Sequence, residues 1–501
     1  MLPSRHVSRR TLLVAGLATM TVPAMSSCSG TGGGARRPVT PPDDFSTPLA
    51  VPPLDEGTMV SPGVREFALT AREGTHDMGT GVATPTWGFN GDHLGPTLRA
   101  RSGETVRVRV TNDLPEETTV HWHGMHLPAV MDGGPHQMIE PGGTWEPVWT
   151  IDQPAASLWY HPHPHGATEE HVYRGLAGMF WIDPDEGPDT RLPHRYGVDD
   201  VPVVVQDKRL DDDGELDLDD QGLEIGLLGD RVLANGTWGG HVEASTELLR
   251  LRLLNGSTAR TYGLGFSDDR DFDVVATDGG LLERPVATTR VRLSPGERAE
   301  VVVRLAPAER VRLVSYGAEL GDVVIPSVFG ADDVIDVLEI RARDRLEPSP
   351  PVPEVLTSIE RLDPSAADAR REWELEGREI NGQGMDMDRV DATVTAGALE
   401  QWTVRSRNPY PHNFHVHDVQ FRVVAVDGAP PPPLLAGLKD TVYLEPHVSY
   451  DLLMRFGDHA DPEHPYMFHC HLLLHEDDGM MGQFVVVDDG DAADLSGHEG
   501  H

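Results

Sequence analysis

The 501-residue chain encodes an all-β protein built from three β-sandwich domains. Composition points that way first: 52 glycines and 41 prolines punctuate the chain, and few stretches carry helical periodicity. A strand ending in asparagine then recurs three times, as Thr105–Asn112 (TVRVRVTN), Leu248–Asn255 (LLRLRLLN) and Leu399–Asn408 (LEQWTVRSRN). Each copy is followed by a proline turn that opens a second strand. These run from Glu140-Pro141 to Trp149, from Ser294-Pro295 to Leu305, and from Glu445-Pro446 to Phe456. Alternating apolar and polar residues in these runs mark half-buried strands. The triplication marks one unit present three times.

The elements follow in chain order. Ser8-Arg9-Arg10-Thr11-Leu12-Leu13 is a twin-arginine start, and the apolar run to about Met25 is too short to span a bilayer. It predicts twin-arginine export of a folded protein to the cell envelope, periplasm or exterior. Ala24-Met25-Ser26-Ser27-Cys28 resembles a lipoprotein cleavage box. Lipid anchoring at Cys28, the one membrane attachment foreseen, and simple cleavage nearby are both open. Residues 29–53 are rich in Gly, then Pro, and read as a tether. Polar connections starting at Asp183-Pro184 and Glu347-Pro348 divide the remainder into domains at 54–190, 191–346 and 347–488. Each is of ordinary domain size. Residues 489–501 form an acidic tail.

The formal net charge is −40, and Lys208 and Lys439 are the only lysines. So acidic a surface repels nucleic acid and excludes it as a partner. Cys28 and Cys470 sit in unlike settings, so no disulfide framework is expected.

The chemistry lies in four His-X-His triplets: His121-Trp122-His123, His161-Pro162-His163, His415-Val416-His417 and His469-Cys470-His471. Side chains on a strand alternate faces, so each triplet aims two imidazoles one way. The last sends Cys470 to the opposite face, the side to which parity also assigns His412. His475 and Met480 follow Cys470 in one loop, with Gly479 free to bend it. Two imidazoles, a thiolate and a thioether suit a blue-copper electron-transfer site. The other eight imidazoles suit several coppers, shared as two, three and three, rather than one zinc or an oxygen-loving cation. The triplets lie only in the first and third copies. The middle copy therefore reads as a spacer, and the outer two must touch.

The contexts HWHG, WYHPHPHG, HNFHVH and HCHLLLHEDDGMM, in this order, resemble the multicopper oxidases. The likeness is greatest to the bacterial three-domain branch of copper-efflux oxidases, laccases and bilirubin oxidases. It covers nearly the whole chain after the leader and is strongest at 119–183 and 409–486. It implies cupredoxin-like Greek-key sandwiches holding four copper ions. The type 1 ion falls to His412, Cys470 and His475 with Met480 axial, and the type 2 ion to His121 and His415. The type 3 pair falls to His123, His161, His163, His417, His469 and His471. Dioxygen is then reduced to water by four electrons that pass from Cys470 to His469 and His471, a span of roughly 10 Å. Asp132 and Glu476 match the family's acidic positions and are expected to relay protons, with orientation of a histidine or a plain surface charge as the alternatives. His165 shares the parity of His161 and His163, but the family does not use it as a ligand. His126, His136, His171, His447, His459 and His464 are expected on the surface or in loops, and His498 and His501 in the tail.

No Met-rich insert occupies the stretch from Arg345 to Glu379, and Met385 and Met387 do not make one. The expected donor is therefore a phenol or aromatic amine, in a laccase-like reaction. Cuprous ion as donor, and copper binding without turnover, are the alternatives. A nitrite reductase is disfavoured, since that family lacks the full set of four triplets. A three-domain chain completes its own cluster, so a monomer is expected.

Overall fold

A computed structural model describes residues 37–187, 189–220 and 222–495. The twin-arginine start, the Cys28 box, His498 and His501 lie outside them. Six sheets form three sandwiches with cupredoxin-like Greek-key topology. In the first, the sheet containing Val64–Asp77 and Thr105–Asn112 faces the sheet containing Thr97–Arg101, Ala156–Tyr160 and Gly178–Asp183. Phe67, Val108, Leu158 and Phe180 fill the space between. Seven- and six-stranded sheets make the middle sandwich, and two five-stranded sheets the third. Among the described residues the only α-helices are Thr168–Arg174 and Leu473–Asp477.

The repeat in sequence is a repeat in pairing. Each asparagine-ended strand lies parallel to an earlier strand: Val64–Asp77, Asp200–Lys208 or Ala369–Glu376. On its other side it pairs antiparallel with the strand opened by the proline turn: Val148–Thr150, Arg298–Arg304 or Ser449–Arg455. Parallel neighbours need a crossover, so the chain leaves for the second sheet between them. In the first two copies the asparagine closes this unit. Asn112 donates to the Ile139 carbonyl and accepts from Leu114 N–H, while Asn255 donates to Leu293 and accepts from Ser257. Each thereby ties the strand end to the segment entering the proline turn.

Residues 37–53 are not a free tether. Thr47–Pro48 pairs in parallel with Gly240–His241, Thr40 N–H donates to the Asp230 carbonyl, and Phe45 and Leu49 are buried. A proline-rich stretch is already extended and fits a sheet edge. Its two large apolar side chains supply the burial that holds it there.

Both lysines are buried. Lys439 Nζ sits 2.9 Å from Asp278 and 3.1 Å from Glu297, and Lys208 donates to the Tyr173 carbonyl at 2.6 Å. Arginine alone therefore supplies the exposed cationic side chains among the described residues.

Candidate metal centre

The second and fourth triplets anchor the site through matched backbone pairings. His121 and His161 form an antiparallel bridge in the first sandwich, and His415 pairs with His469 in the third. The two sandwiches meet ring on ring: His121 stacks on His417 at 3.8 Å and His123 on His415 at 3.7 Å between centroids. All eight triplet imidazoles are at most 1% exposed. Parity thus places His412 and Cys470 on one side and the triplet rings on the other, as read from sequence.

The donor atoms gather into small groups, each within 4.8 Å. His123, His161 and His471 form one trio, and His163, His417 and His469 another, while His121 and His415 lie together beside His123. His412, Cys470 and His475 form the separate thiolate group.

Hydrogen bonds fix which nitrogen is bare in most of the rings, His163 and His471 excepted. A carbonyl only accepts, so a ring nitrogen facing one carries the proton. His121 Nδ1 donates to the Asp132 carbonyl (3.0 Å), His161 Nδ1 to Pro162 (2.8 Å), His415 Nδ1 to Asp440 (2.8 Å) and His469 Nδ1 to Cys470 (3.2 Å). Each leaves Nε2 as a lone pair aimed inward. His417 Nδ1 faces the Asp132 carboxylate, with the same result. His123 is reversed: its Nε2 meets Asp440 Oδ1 at 3.0 Å, so Nδ1 is the bare atom. His475 is reversed too, its Nε2 donating to the Glu224 carbonyl at 2.6 Å and its Nδ1 standing 3.4 Å from Cys470 Sγ.

The inward nitrogens fit a metal. His121 Nε2, His123 Nδ1, His161 Nε2, His415 Nε2 and both nitrogens of His471 are buried without a hydrogen-bond partner. His469 Nε2 lies 3.2 Å from His163 Nε2 and from His417 Nε2. Lone pairs facing one another at that range repel unless a cation lies among them. Burial pushes His161, His123, His415 and His417 far below the usual imidazole range, His163 and His471 to about 3, and His475 to about 4. Neutral imidazole is the form that binds metal.

Cys470 Sγ lies 3.5 Å from His412 Nδ1, and burial lifts the thiol to about 12. His412 departs from the pattern, because the Asn408 amide nitrogen donates to its Nε2 at 2.7 Å and leaves the proton on Nδ1. A metal there displaces that proton or turns the amide. Met480 is fully buried, and its backbone bonds both Cys470 and His475 through a turn at Gly479 with φ +90°.

Both predicted carboxylates touch imidazoles. Asp132 Oδ2 meets His417 Nδ1 at 2.6 Å, and Glu476 lies 3.3 Å from His163 Nδ1 and 3.2 Å from His469 Nδ1. The three rings of one trio are thus each backed by a carboxylate. The middle sandwich is more than a spacer. Its Glu224 carbonyl fixes His475, and a Cβ on Gly296 would stand 3.2 Å from His123 and His471. Its Arg298 clamps Asp440 at 2.6 and 2.7 Å. Asn413 and Asp440 were not foreseen. Asn413 accepts from His471 N–H at 2.6 Å beside Cys470; it lies inside HNFHVH, but only the histidines there read as functional, and Asp440 sits in no motif.

The remaining histidines divide. His171, expected on the surface or in a loop, is fully buried in the helix Thr168–Arg174, where it packs against Trp87 and bonds Thr118 and Glu116. An apolar neighbour and two polar partners make that burial affordable for an imidazole. His126, His136, His459 and His464 are half-buried, and His165 and His447 are exposed.

This constellation has counterparts. Two family models described as multicopper oxidase match residues 70–187 and 347–490. A multicopper oxidase (mco) of Staphylococcus haemolyticus is 34% identical, covering 88% of this chain and 92% of its own length. The cell division protein FtsP of Salmonella typhimurium is 36% identical over the same shares, 88% and 92%. Among solved structures, a laccase-like multi-copper oxidase CueO from Ochrobactrum sp. superposes with a TM-score of 0.80 at 34% identity, covering 88% of this chain and 100% of its own. That enzyme is described as oxidising lignin model compounds and lignosulfonate. The chain belongs to the multicopper oxidase family.

Proposed function

We propose that the protein couples one-electron oxidation of a phenol or aromatic amine to the four-electron reduction of dioxygen to water. It would use four copper ions. His412, Cys470, His475 and Met480 hold one of them. His121 and His415 hold a second, and the trios His123/His161/His471 and His163/His417/His469 hold the other two. Copper so held supplies reversible one-electron chemistry and a site for dioxygen. What carries this reading is the set of bare, inward nitrogens, above all His469 Nε2 at 3.2 Å from two others. Two imidazoles and a thiolate with a thioether as the fourth donor are the set of a blue-copper site.

The protein's residues do the rest. Backbone carbonyls set the tautomers, Asp132 and Glu476 orient the rings of one trio, and burial excludes stray water. Both carboxylates also stand where protons for water formation are needed, and we assign them that delivery. Residues 54–190, 191–346 and 347–488 are the domains of this reading. A monomer suffices, because one chain supplies all twelve ligands. The reading takes the twin-arginine start as an export signal, which would put the work outside the cytoplasm. Among the described residues no helix is long and apolar enough to cross a membrane.

The relative named as a cell division protein favours a second reading, a role without turnover; copper binding without turnover is the form that the histidine set would give it. One assay separates the readings. Metal-loaded protein should be intensely blue, bleach under a reductant without air, and consume oxygen with a phenol. Oxygen uptake with cuprous ion but not with a phenol would reassign the donor. Colourless protein holding about four coppers per chain would end the oxidase reading.

A further inference from the structure

The thiolate group has no open edge of its own. His412, Cys470, His475 and Met480 are all 0% exposed, and His475 Nε2 is covered by the Glu224 carbonyl. A donor molecule cannot touch either imidazole. One half-buried ring does touch both: Tyr410 lies 5.1 Å from His412 and 6.1 Å from His475 between centroids. Its hydroxyl donates to the Gly377 carbonyl at 3.2 Å, which pins the ring.

The segment beside Tyr410 carries two exposed apolar side chains. Val324 N–H donates to the Pro409 carbonyl at 2.9 Å, which seats a middle-sandwich segment next to the ring. That segment exposes Val324 at 54% and Ile325 at 66%. Ile325 holds φ +51°, a left-handed conformation that a β-branched residue adopts only under constraint. Arg378 ion-pairs with Asp478 and lies 3.9 Å from Glu224, so the charges at this rim are largely paired with each other.

We propose that Tyr410, with Pro409, Val324 and Ile325, is the docking platform for a small phenol or aromatic amine and the place where its electron enters. The inference rests on the oxidase reading above and names the substrate-contacting surface of that site. Aromatic rings pair at 4.5–7 Å between centroids, so a donor stacked on Tyr410 stands one ring removed from His412. The flanking valine and isoleucine add apolar area and offer no soft ligand for a metal ion. The donor gives up one electron across the Tyr410 ring towards Cys470 and its O–H proton (N–H for an amine) to water. Four such electrons, with four protons, match the reduction of one dioxygen to two waters. Tyr410 stays closed-shell throughout.

The test uses the copper-loaded protein and two readouts. The first is binding of 4-nitrophenol, a phenol hard to oxidise, followed by saturation-transfer NMR. The second is anaerobic bleaching of the blue colour by 2,6-dimethoxyphenol. Tyr410→Phe should match wild type in binding. Tyr410→Ala should bind roughly three- to tenfold more weakly, the loss of one aromatic contact, and bleach more slowly by at least that factor. Val324→Glu, on a separate element, should act in the same direction and decides the matter if Tyr410→Ala does not fold. Wild-type binding and bleaching in both variants would overturn the platform while leaving a blue oxidase intact. Equal slowing for cuprous ion and phenol would overturn the aromatic occupant. A colourless wild type would instead sink the oxidase reading, and 4-nitrophenol binding would still report on the platform.

Discussion

Asp132 Oδ2 stands 2.6 Å from Nδ1 of His417, across the joint between the first and third sandwiches. The backbone carbonyl of the same aspartate accepts from His121 Nδ1 at 3.0 Å. One residue therefore orients an imidazole from each domain, and its charge lies next to the site where oxygen would be reduced. Asp132→Asn keeps an acceptor and removes the charge. Residues behind a ligand typically matter by about 10–100-fold. We expect the blue colour to persist while reoxidation of the reduced protein by dioxygen slows by a factor in that range, read by stopped-flow absorption. Unchanged reoxidation would remove Asp132 from proton delivery.

Glu476 divides its two oxygens between His163 and His469, at 3.3 and 3.2 Å. Burial works against its charge, yet the surrounding imidazoles His163, His469 and His471 hold the carboxyl well below its ordinary range. Glu476→Gln removes the charge behind both rings and sets an amide NH2 against one of them. The trio His163, His417 and His469 should then bind copper about 10–100-fold more weakly, seen as copper lost per chain on dialysis against a chelator. Cys470 belongs to another group, so the blue band should remain. Retention of full copper would contradict the orienting role.

Gly133 directs the turn that sets Asp132. Its φ is +78°, and a Cβ there would fall 1.8 Å from the Val120 carbonyl oxygen, immediately before His121. Gly133→Ala combines a left-handed alanine with a backbone overlap that no side-chain motion relieves. It should cost about 2 kcal/mol or more and lower copper content by displacing His121. Thermal unfolding and metal analysis check both, and an unshifted midpoint would mean the turn relaxes freely.

The site was more legible than its frame. Period-two alternation alone separated Cys470 and His412 from the triplet rings, because a strand leaves no other choice. The repeated asparagine strands marked the triplicated unit; Asn112 and Asn255 close their strands onto a proline turn, whereas Asn408 bonds Gly377 and His412 instead. What sequence could not show is contact between distant stretches. Asp440 reaches the rings only because the sheets bring it there and sits in no motif, while Asn413 lies inside HNFHVH without its spacing marking a role. Glu224 serves through its carbonyl, which its side chain does not advertise. Residues 37–53 looked like a tether because proline-rich composition suits a linker and an edge strand equally. The two apolar residues Phe45 and Leu49 were the available sign. His171 was misplaced for a similar reason, since an isolated histidine carries no signal of the helix and partners around it.

A last relationship governs the joint itself. His126 of the first sandwich places Nδ1 2.6 Å from Asp418 Oδ1 of the third. Burial lowers the imidazole's affinity for a proton, but the hydrogen bond and charge of Asp418, with Asp458 beyond, outweigh it and raise His126 to about 9. The ring of His459, 4.8 Å away, is the other titratable group against it. Because the folded value lies above the unfolded one of roughly 6.5, the ion pair stabilises fully below about pH 6.5 and fades as pH rises towards 9. The side chain is 18% exposed, so the contribution is on the order of 2 kcal/mol after screening. His126→Gln should accordingly be less stable than wild type in urea at about pH 6, and the gap should shrink by about pH 10. The variant thus isolates the charge from the packing, since a merely steric effect would leave the gap constant. A gap that stays constant or widens with pH would show that the His126–Asp418 pair does not lock the two sandwiches through its charge.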